Sequence, residues 1–191
     1  MNTLNEYTKE ISGYRITVST HYDDYMGPPW KEHDGHGPVS DWQTYNPTCG
    51  ISSKAPGERV LHSYGSSARF YNFAEAVKIA KRDGWWISDD AKSRLADRLK
   101  KPVNSLTKGE IVTEAVNRDF TYLQDWCNDK WRWLGYTTKI IAPDGATHEG
   151  DSCWGFDNED YMISVAWSNA ESFVADLIET SEQTAIALCV P

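Results

Sequence analysis

Basic residues are missing from the C-terminal part of this 191-residue sequence. After Lys139 there is no lysine or arginine, while ten acidic residues follow. Neutralising the phosphates of a nucleic acid requires lysine and arginine, so we expect no direct nucleic-acid binding by this part. The segments 1–57, 58–109 and 110–191 carry net charges of −3, +5 and −11. A partner protein with a basic surface is the electrostatic complement. The alternative is an acidic surface that only keeps the protein soluble.

Long apolar runs and closely spaced cysteines are also missing. No window approaches the roughly 18 consecutive apolar residues of a membrane-spanning helix, so we expect no membrane partner. The N-terminal residues have neither the basic start nor the apolar run of a signal peptide. The cysteines form neither a C-x-x-C pair nor a zinc-finger pattern, which predicts free thiols in a reducing cytosol. They are Cys49, Cys127, Cys153 and Cys189.

Motifs that mark a nucleophile or a phosphate-binding loop are absent as well. The sequence has no Gly-x-Ser-x-Gly elbow, no Gly-x-x-x-x-Gly-Lys-Ser/Thr loop and no Gly-x-Gly-x-x-Gly fingerprint. We therefore assign no catalytic residue and no cofactor. A protein that acts by binding is favoured over an enzyme.

The order of elements predicts one α+β domain over residues 1–191. Strands and helices are segregated along the chain, which favours a small antiparallel sheet with helices packed on one face. Polar and apolar residues alternate at 14–20, which predicts the first strand. A long irregular loop at 21–57 follows it, and a loop of this length either contains short elements or is functional. Residues 1–12 are polar and are expected to be loose. The other predicted strands are 59–64, 68–71, 131–142 and 146–156.

Capping residues indicate where three helices begin. Asn72, Ser88 and Thr107 are predicted N-caps, and Thr107 forms a capping box with Glu110. The helix after Thr107 carries an apolar stripe that is typical of a core helix.

Two further helical features are open to interpretation. Basic residues near the end of the second helix, including Arg94 and Arg98, are accounted for by the helix dipole and solvation. The last helical region, 159–185, contains a second capping box. It is therefore either one helix or two helices that meet near Trp167.

The stretch 21–43 is the most unusual part of the sequence, with three of the five histidines and five acidic residues. One interpretation is a metal site, in which His33 and His36 share an ion. Glycine at position 35 makes that segment flexible, and no helix fixes the ligand spacing. The competent ligands are His21, Asp23, Asp24, Glu32, His33, Asp34 and His36.

The other interpretation of 21–43 is an ordered loop that recognises a partner or braces the sheet. Pro28 and Pro29 stiffen the backbone, and Trp30 and Trp42 can anchor the loop on a core. A bond from His36 to a carboxylate or a carbonyl would lock it. We favour this interpretation over the metal site.

Segments in the same loop carry a resemblance. Residues 26–39, Met-Gly-Pro-Pro-Trp-Lys-Glu-His-Asp-Gly-His-Gly-Pro-Val, are the most specific, and Trp-Gly-Phe-Asp at 154–157 belongs with them. With the order 70–76, 125–127 and 133–136, they resemble an uncharacterised family of small proteins encoded by tailed bacteriophages and prophages. The resemblance spans about residues 14–180. Phe-Asp stands where the family pattern has Ile-Glu, which keeps the carboxylate. The resemblance implies a phage accessory protein that acts in the host bacterial cytoplasm.

Two functional hypotheses follow, and a third has no sequence support. The first is a non-enzymatic inhibitor of a host defence or nucleic-acid-handling complex, acting through an acidic surface. The alternative is a metal-dependent hydrolase or a nucleotide-binding protein that uses the loop 21–36. A virion component would be the third, but repeats and a coiled coil are lacking. The candidate partner-binding residues are Trp30, Glu32, Asp34, His36, Asp157, Glu159 and Asp160.

Overall fold

The computed structural model describes residues 3–46, 51–52 and 55–188. Within these residues the chain forms eight strands, five α-helices and one short 3₁₀ turn at Val103–Ser105. In chain order the elements are β1 (Thr3–Ile11), β2 (Tyr14–Tyr22), α1 (Pro29–Glu32), β3 (Gln43–Asn46), β4 (Ile51–Ser52), β5 (Glu58–Tyr64), β6 (Ser67–Asn72), α2 (Phe73–Asp83), α3 (Asp89–Leu99), α4 (Lys108–Cys127), β7 (Leu134–Ile141), β8 (Thr147–Phe156) and α5 (Glu159–Leu188).

The contacts divide the chain into two compact units. Unit 1 consists of Met1–Met26 and Arg132–Pro191, and unit 2 consists of Gly27–Trp131. Each unit contains one antiparallel sheet, with α5 in unit 1 and α1 to α4 in unit 2, so the α+β prediction is confirmed, with two sheets where one was expected. The assignment of the whole chain to a single domain is not tested by this division and stays a prediction.

Unit 1 is a four-stranded antiparallel sheet in the order β1-β2-β7-β8, with α5 packed against it. In register, Val18 lies between Tyr7 of β1 and Thr138 of β7, so these side chains share one face of the sheet. The core on this face is made by fully buried residues of two strands and the helix. They are Ile16, Val18, Tyr136, Ile140, Met162, Ala166, Ala170 and Val174.

The helix α5 is continuous over 30 residues. Met162, Ala166, Ala170 and Val174 follow one another at every fourth position and are all buried, so one apolar stripe runs through the position of Trp167 without a break. Of the two alternatives for this region, one continuous helix is therefore confirmed, and two helices meeting near Trp167 are not found. The internal Ser-x-x-Glu signal at Ser168 lies within the helix and caps nothing.

Unit 2 contains the second sheet, in the order β4-β3-β6-β5, with α2 and α4 packed together. Its larger core cluster joins β5, β6, α2 and α4, and its buried members include Leu61, Tyr71, Val112, Val116 and Leu123. A smaller apolar cluster packs α3 against α4. Its buried members are Ile87, Ala91, Leu95 and Ala115.

The predicted helix ends in unit 2 are confirmed. The side chain of Asn72 accepts a hydrogen bond from the Glu75 backbone, and that of Ser88 accepts one from the Ala91 backbone. Both halves of the capping box between Thr107 and Glu110 are present. Glu110 also accepts hydrogen bonds from Lys101, and these bonds, followed by those from Thr107, lower its pKa to about 2.

The N-terminal segment is the clearest departure from the sequence prediction. Residues 1–12 were expected to be loose, but Thr3–Ile11 is a strand paired along its length with β2. The turn between the strands is Ser12-Gly13, with φ values of 51° and 84°. Positive φ at both turn residues matches the twist of a hairpin. The strand is polar because it lies at the sheet edge, and Tyr7 and Ile11 are its half-buried anchors.

The predicted loop 21–57 contains short elements within its described residues. They are α1, β3 and β4, and they leave less irregular chain than expected. Cys127 and Cys153 are free thiols, while Cys49 and Cys189 lie outside the described residues. Of the helices in the described part of the chain, none combines the length and the apolar character needed to cross a membrane.

Candidate functional site

The His/Asp-rich stretch is divided between the two units. His21 and Asp23 belong to unit 1, and the residues from Gly27 onward belong to unit 2. His21 is buried on β2, where its Nε2 lies 3.1 Å from Thr137 Oγ1 and its ring packs near Trp154. The Asp23 carboxylate accepts a hydrogen bond from the Tyr25 backbone. The contacts of both residues thus lie within unit 1.

Within unit 2 the stretch begins with the single helical turn α1. Pro29 occupies its first turn, where a missing N–H costs nothing. Glu32 Oε1 accepts a hydrogen bond from the Gly27 backbone at 3.0 Å and closes the turn. The Trp30 ring packs edge-on against Trp126, 5.5 Å away, and the Arg69 guanidinium lies 5.0 Å from the Trp30 ring centre. Trp30 is thus an anchor, as the anchored-loop interpretation expects.

His36 is held by a carboxylate that lies 83 positions further along the chain. Its Nδ1 lies 2.6 Å from Asp119 Oδ1. Asp119 Oδ2 accepts hydrogen bonds from the Gly37 backbone at 2.8 Å and from the Tyr71 hydroxyl at 2.6 Å. Since Asp119 already accepts these two bonds, we assign the shared proton to His36 Nδ1. Burial, followed by the neighbouring Asp119, raises the pKa of Tyr71.

This cluster of His36, Gly37, Tyr71 and Asp119 locks the loop onto α4. The side chains of His36 and Asp119 are only 17% and 9% exposed. The His36 ring also stacks on Tyr122, with 5.7 Å between ring centres. An imidazole oriented by a carboxylate is the arrangement of a general base. The contacts of the His36 ring with Asp119 and Tyr122, however, fasten the loop to α4, so the geometry supports a brace.

The four loop residues predicted to bind a partner therefore differ in availability. Trp30 and His36 are half-buried and engaged inside unit 2, and Glu32 is exposed but holds the Gly27 backbone. Asp34 is exposed, and among the described residues it has no bonded partner. Only Asp34 combines exposure with a free carboxylate.

The three predicted residues in unit 1 surround the beginning of α5. Asp157, Glu159 and Asp160 are all exposed. Glu159 Oε1 accepts hydrogen bonds from the Asn5 side chain at 3.0 Å and the Tyr7 hydroxyl at 3.3 Å. Burial, and then Glu159, raise the pKa of Tyr7. Next to them, the side chain of Tyr161 is 62% exposed.

The charge of unit 1 is strongly one-sided. Its sequence has 14 acidic and 4 basic residues, a net charge of −10, whereas unit 2 has 14 acidic and 15 basic residues, a net charge of +1. Two of the four bases in unit 1 already face carboxylates: Lys9 lies 3.0 Å from Glu171, and Arg15 lies 3.6 Å from Glu10. Unit 1 therefore has ten more acidic than basic residues.

The metal interpretation of 21–36 finds no geometric support. Across the described residues, no group of three or more His, Cys, Asp or Glu side chains lies close enough to hold a metal ion. The imidazoles of His21 and His36 belong to different units and are each engaged in local contacts. Glu32 and His36 instead brace the loop through their hydrogen bonds.

Asp119 and Tyr71 are the residues of this cluster that sequence reasoning missed. A signal for Asp119 exists, because it lies three positions after Val116 and four before Leu123, on the apolar stripe of α4. A carboxylate at such a position is expected to have a buried partner. Nothing in the sequence identifies that partner as His36.

Comparisons with known proteins give no functional assignment. No protein-family model, no curated protein and no solved structure matches the chain. The phage and prophage setting therefore stays an expectation from the motifs in the loop. Function has to be inferred from the charges and contacts of the two units.

Proposed function

We propose that unit 1 is a non-enzymatic binding module whose acidic surface engages a partner protein with a basic surface. The observation that carries this proposal is the excess of 14 acidic over 4 basic residues in a unit of one sheet and one helix. Such a surface produces a negative potential that attracts and orients a basic partner.

The centre of the proposed interface is the group Asp157, Glu159, Asp160 and Tyr161. The three carboxylates can pair with lysine or arginine side chains of the partner. The exposed ring of Tyr161 adds a flat apolar contact and a face for a cation–π interaction. Tyrosine is also enriched among the residues that dominate binding energy at interfaces.

The proposed setting is a phage accessory protein in the host bacterial cytoplasm. There it would inhibit a host defence or nucleic-acid-handling complex by occupying a basic groove. The resemblance of residues 26–39 to phage and prophage proteins supports this setting. The acidic surface supports competition with nucleic acid for the same groove.

Affinity purification of partners from the host cell tests the proposal, followed by measurement of affinity against salt concentration. The triple variant Asp157→Asn, Glu159→Gln and Asp160→Asn should weaken partner binding roughly tenfold at low salt, since exposed charge pairs contribute up to about 1 kcal/mol each. Binding by the unaltered protein should weaken as salt is raised.

A matched control changes the charge of unit 2 by the same amount. Glu75→Gln, Asp83→Asn and Asp89→Asn remove three carboxylates whose ion-pair partners are all local, Lys78, Arg82 and Lys92. This control should leave partner affinity within about twofold, because these three carboxylates belong to unit 2 and are already paired with basic side chains of that unit. Partner binding that survives the unit 1 triple variant at full strength would refute the proposal.

A further inference from the structure

A groove in unit 2 follows one face of α4. Glu114, Asn117, Arg118, Thr121 and Asp125 line it and recur at helical spacing. Arg98 on α3 and Arg59 on β5 complete its walls, and its volume is about 690 Å³. Three guanidinium groups from three different elements therefore face one groove.

A buried carboxylate fixes two of these guanidiniums. The Glu114 side chain is only 10% exposed, and its oxygens accept hydrogen bonds from Arg98 Nη2 and from Arg118 Nε. The side chains of Arg98 and Arg118 remain 60% and 44% exposed. Glu114 thus holds both guanidinium groups from the buried side, while the rest of each arginine side chain stays open to solvent.

Arg59 is fixed in a different way. Its Nη1 donates to Asn117 Oδ1 at 2.9 Å, and its guanidinium carbon lies 3.3 Å from the centre of the Phe73 ring. Stacking on an aromatic ring holds the planar group in place without using its hydrogen-bond donors. Burial lowers the pKa of Arg59, yet an arginine stays protonated at neutral pH.

Most donors of the three guanidiniums have no acceptor. Each group has five N–H bonds, and in the part of the chain that the structure describes each donates one hydrogen bond, to Glu114 or to Asn117. The other carboxylate in the groove, Asp125, already accepts from Lys130 at 2.7 Å. The groove therefore has an excess of positive charge and of unsatisfied donors.

We propose that this groove binds a nucleotide-sized small molecule through its phosphate groups. A carboxylate is satisfied by one guanidinium fork, whereas a phosphate has three acceptor oxygens and a charge between −1 and −2 that several guanidiniums share. The volume of the groove lies within the usual range of about 300–1,000 Å³ for small-molecule sites. Phe120 and Tyr122 also line it and offer apolar surface for a flat ring.

Titration calorimetry of the full chain with inorganic phosphate, pyrophosphate and ADP tests this site. ADP should bind more tightly than pyrophosphate, and pyrophosphate more tightly than phosphate. Arg98→Gln and Arg118→Gln should each weaken ADP binding roughly tenfold or more, because each removes a charge-assisted donor set. Arg98→Lys should restore only part of the affinity, because lysine keeps the charge but lacks the planar fork.

Arg94→Gln is the matched control. Arg94 lies one turn before Arg98 on α3 but pairs with Asp90, so the variant should bind ADP like the unaltered protein. Thermal unfolding verifies that each variant is folded. Absence of ADP binding at millimolar concentration, or equal binding by the Arg98 and Arg94 variants, would overturn the proposal. So would equal affinity for ADP and pyrophosphate, or binding only of an acidic peptide or of single-stranded nucleic acid. The partner-binding experiment proposed for unit 1 uses other variants, so its outcome is independent of these measurements.

Discussion

The two units contain the same number of acidic residues, 14 each, but use them differently. In unit 2, 15 basic residues accompany them, and carboxylates such as Asp119 and Glu114 are covered and hold several donors at once. In unit 1 only 4 basic residues are present, and carboxylates such as Asp157 and Asp160 face solvent. In unit 2, covered carboxylates thus stabilise the fold by accepting several hydrogen bonds, whereas in unit 1 the excess of acidic residues charges the surface.

The strongest test of this contrast is Asp119→Ala. The substitution leaves His36, the Gly37 backbone and the Tyr71 hydroxyl without their acceptor. We expect the free energy of unfolding to fall by about 3 kcal/mol or more, because covered polar groups lose a shared partner. Urea unfolding monitored by tryptophan fluorescence measures the loss.

Asp34→Ala is the control for that experiment. Asp34 lies in the same loop but is exposed and has no bonded partner among the described residues. Its replacement should change the free energy of unfolding by no more than about 0.5 kcal/mol. If the two variants were equally stable, the cluster around Asp119 would not be the brace that distinguishes unit 2.

Two glycines test whether the units are packed equally tightly. A Cβ on Gly135 in unit 1 would lie 2.0 Å from the Trp154 ring, and a Cβ on Gly37 in unit 2 would lie 2.2 Å from the Tyr71 hydroxyl. Either glycine-to-alanine change should cost about 1–3 kcal/mol of stability through overpacking. Differential scanning calorimetry compares them with Gly109→Ala, where the nearest atom is 4.0 Å away. The Gly109 variant should be stabilised slightly.

Alkaline pH should separate the units by a smaller effect. Burial raises the pKa of Cys127 in unit 2 from 9.0 to about 11, and burial is also the main cause that raises the pKa of Tyr136 in unit 1 from 10.0 to about 12. Both groups hold their proton more tightly when folded. The contribution of Cys127 to the free energy of unfolding is full below pH 9 and is lost as pH rises through about 11. That of Tyr136 is full below pH 10 and is lost as pH rises through about 12. In Cys127→Ala and Tyr136→Phe, the free energy of unfolding should depend less on pH over the corresponding range than it does in the unaltered protein. Unchanged slopes would contradict the assignment.

The smallest expected effect concerns an exposed ion pair of unit 1. Lys9 and Glu171 are 52% and 51% exposed, so Lys9→Ala should cost at most about 1 kcal/mol and less at high salt. Lys78→Ala, which removes the partner of Glu75 in unit 2, is the counterpart. Equally small losses of stability in the two variants would support the contrast between the units. Exposed ion pairs would then contribute alike in both units, and only the covered carboxylates of unit 2 would contribute more. A loss of several kcal/mol in unit 1 would break it.

The sequence predicted the elements whose signals are local. The caps at Asn72, Ser88 and Thr107 and the strands β7 and β8 were found, because caps and periodicity depend on neighbouring residues. The hairpin strand β1 was missed although Ser12-Gly13 is a turn signal, because its polar residues gain order only by pairing with β2.

The sites depend on contacts between distant residues, which explains why the sequence showed less of them. Arg98 was accounted for by the helix dipole, yet its side chain bonds Glu114, 16 positions later on another helix. His36 was expected to find a carboxylate, but not which one, and Asp119 is 83 positions away. Residue types indicate what a side chain can bind, and only the fold decides which partner is within reach.

The arrangement of unit 1 along the chain has a consequence for its synthesis. The hairpin β1–β2 leaves the ribosome before unit 2, but β7, the second strand that pairs with Val18, follows only after the whole of unit 2. At about 5–20 residues per second, roughly 5–25 seconds pass in which the apolar side chains of Ile16 and Val18 lack their cover. Unit 2 can complete its own contacts during that delay, whereas unit 1 must wait until β7, β8 and α5 have been made. During synthesis, the hairpin β1–β2 is therefore the part of unit 1 that is exposed longest to aggregation and proteolysis.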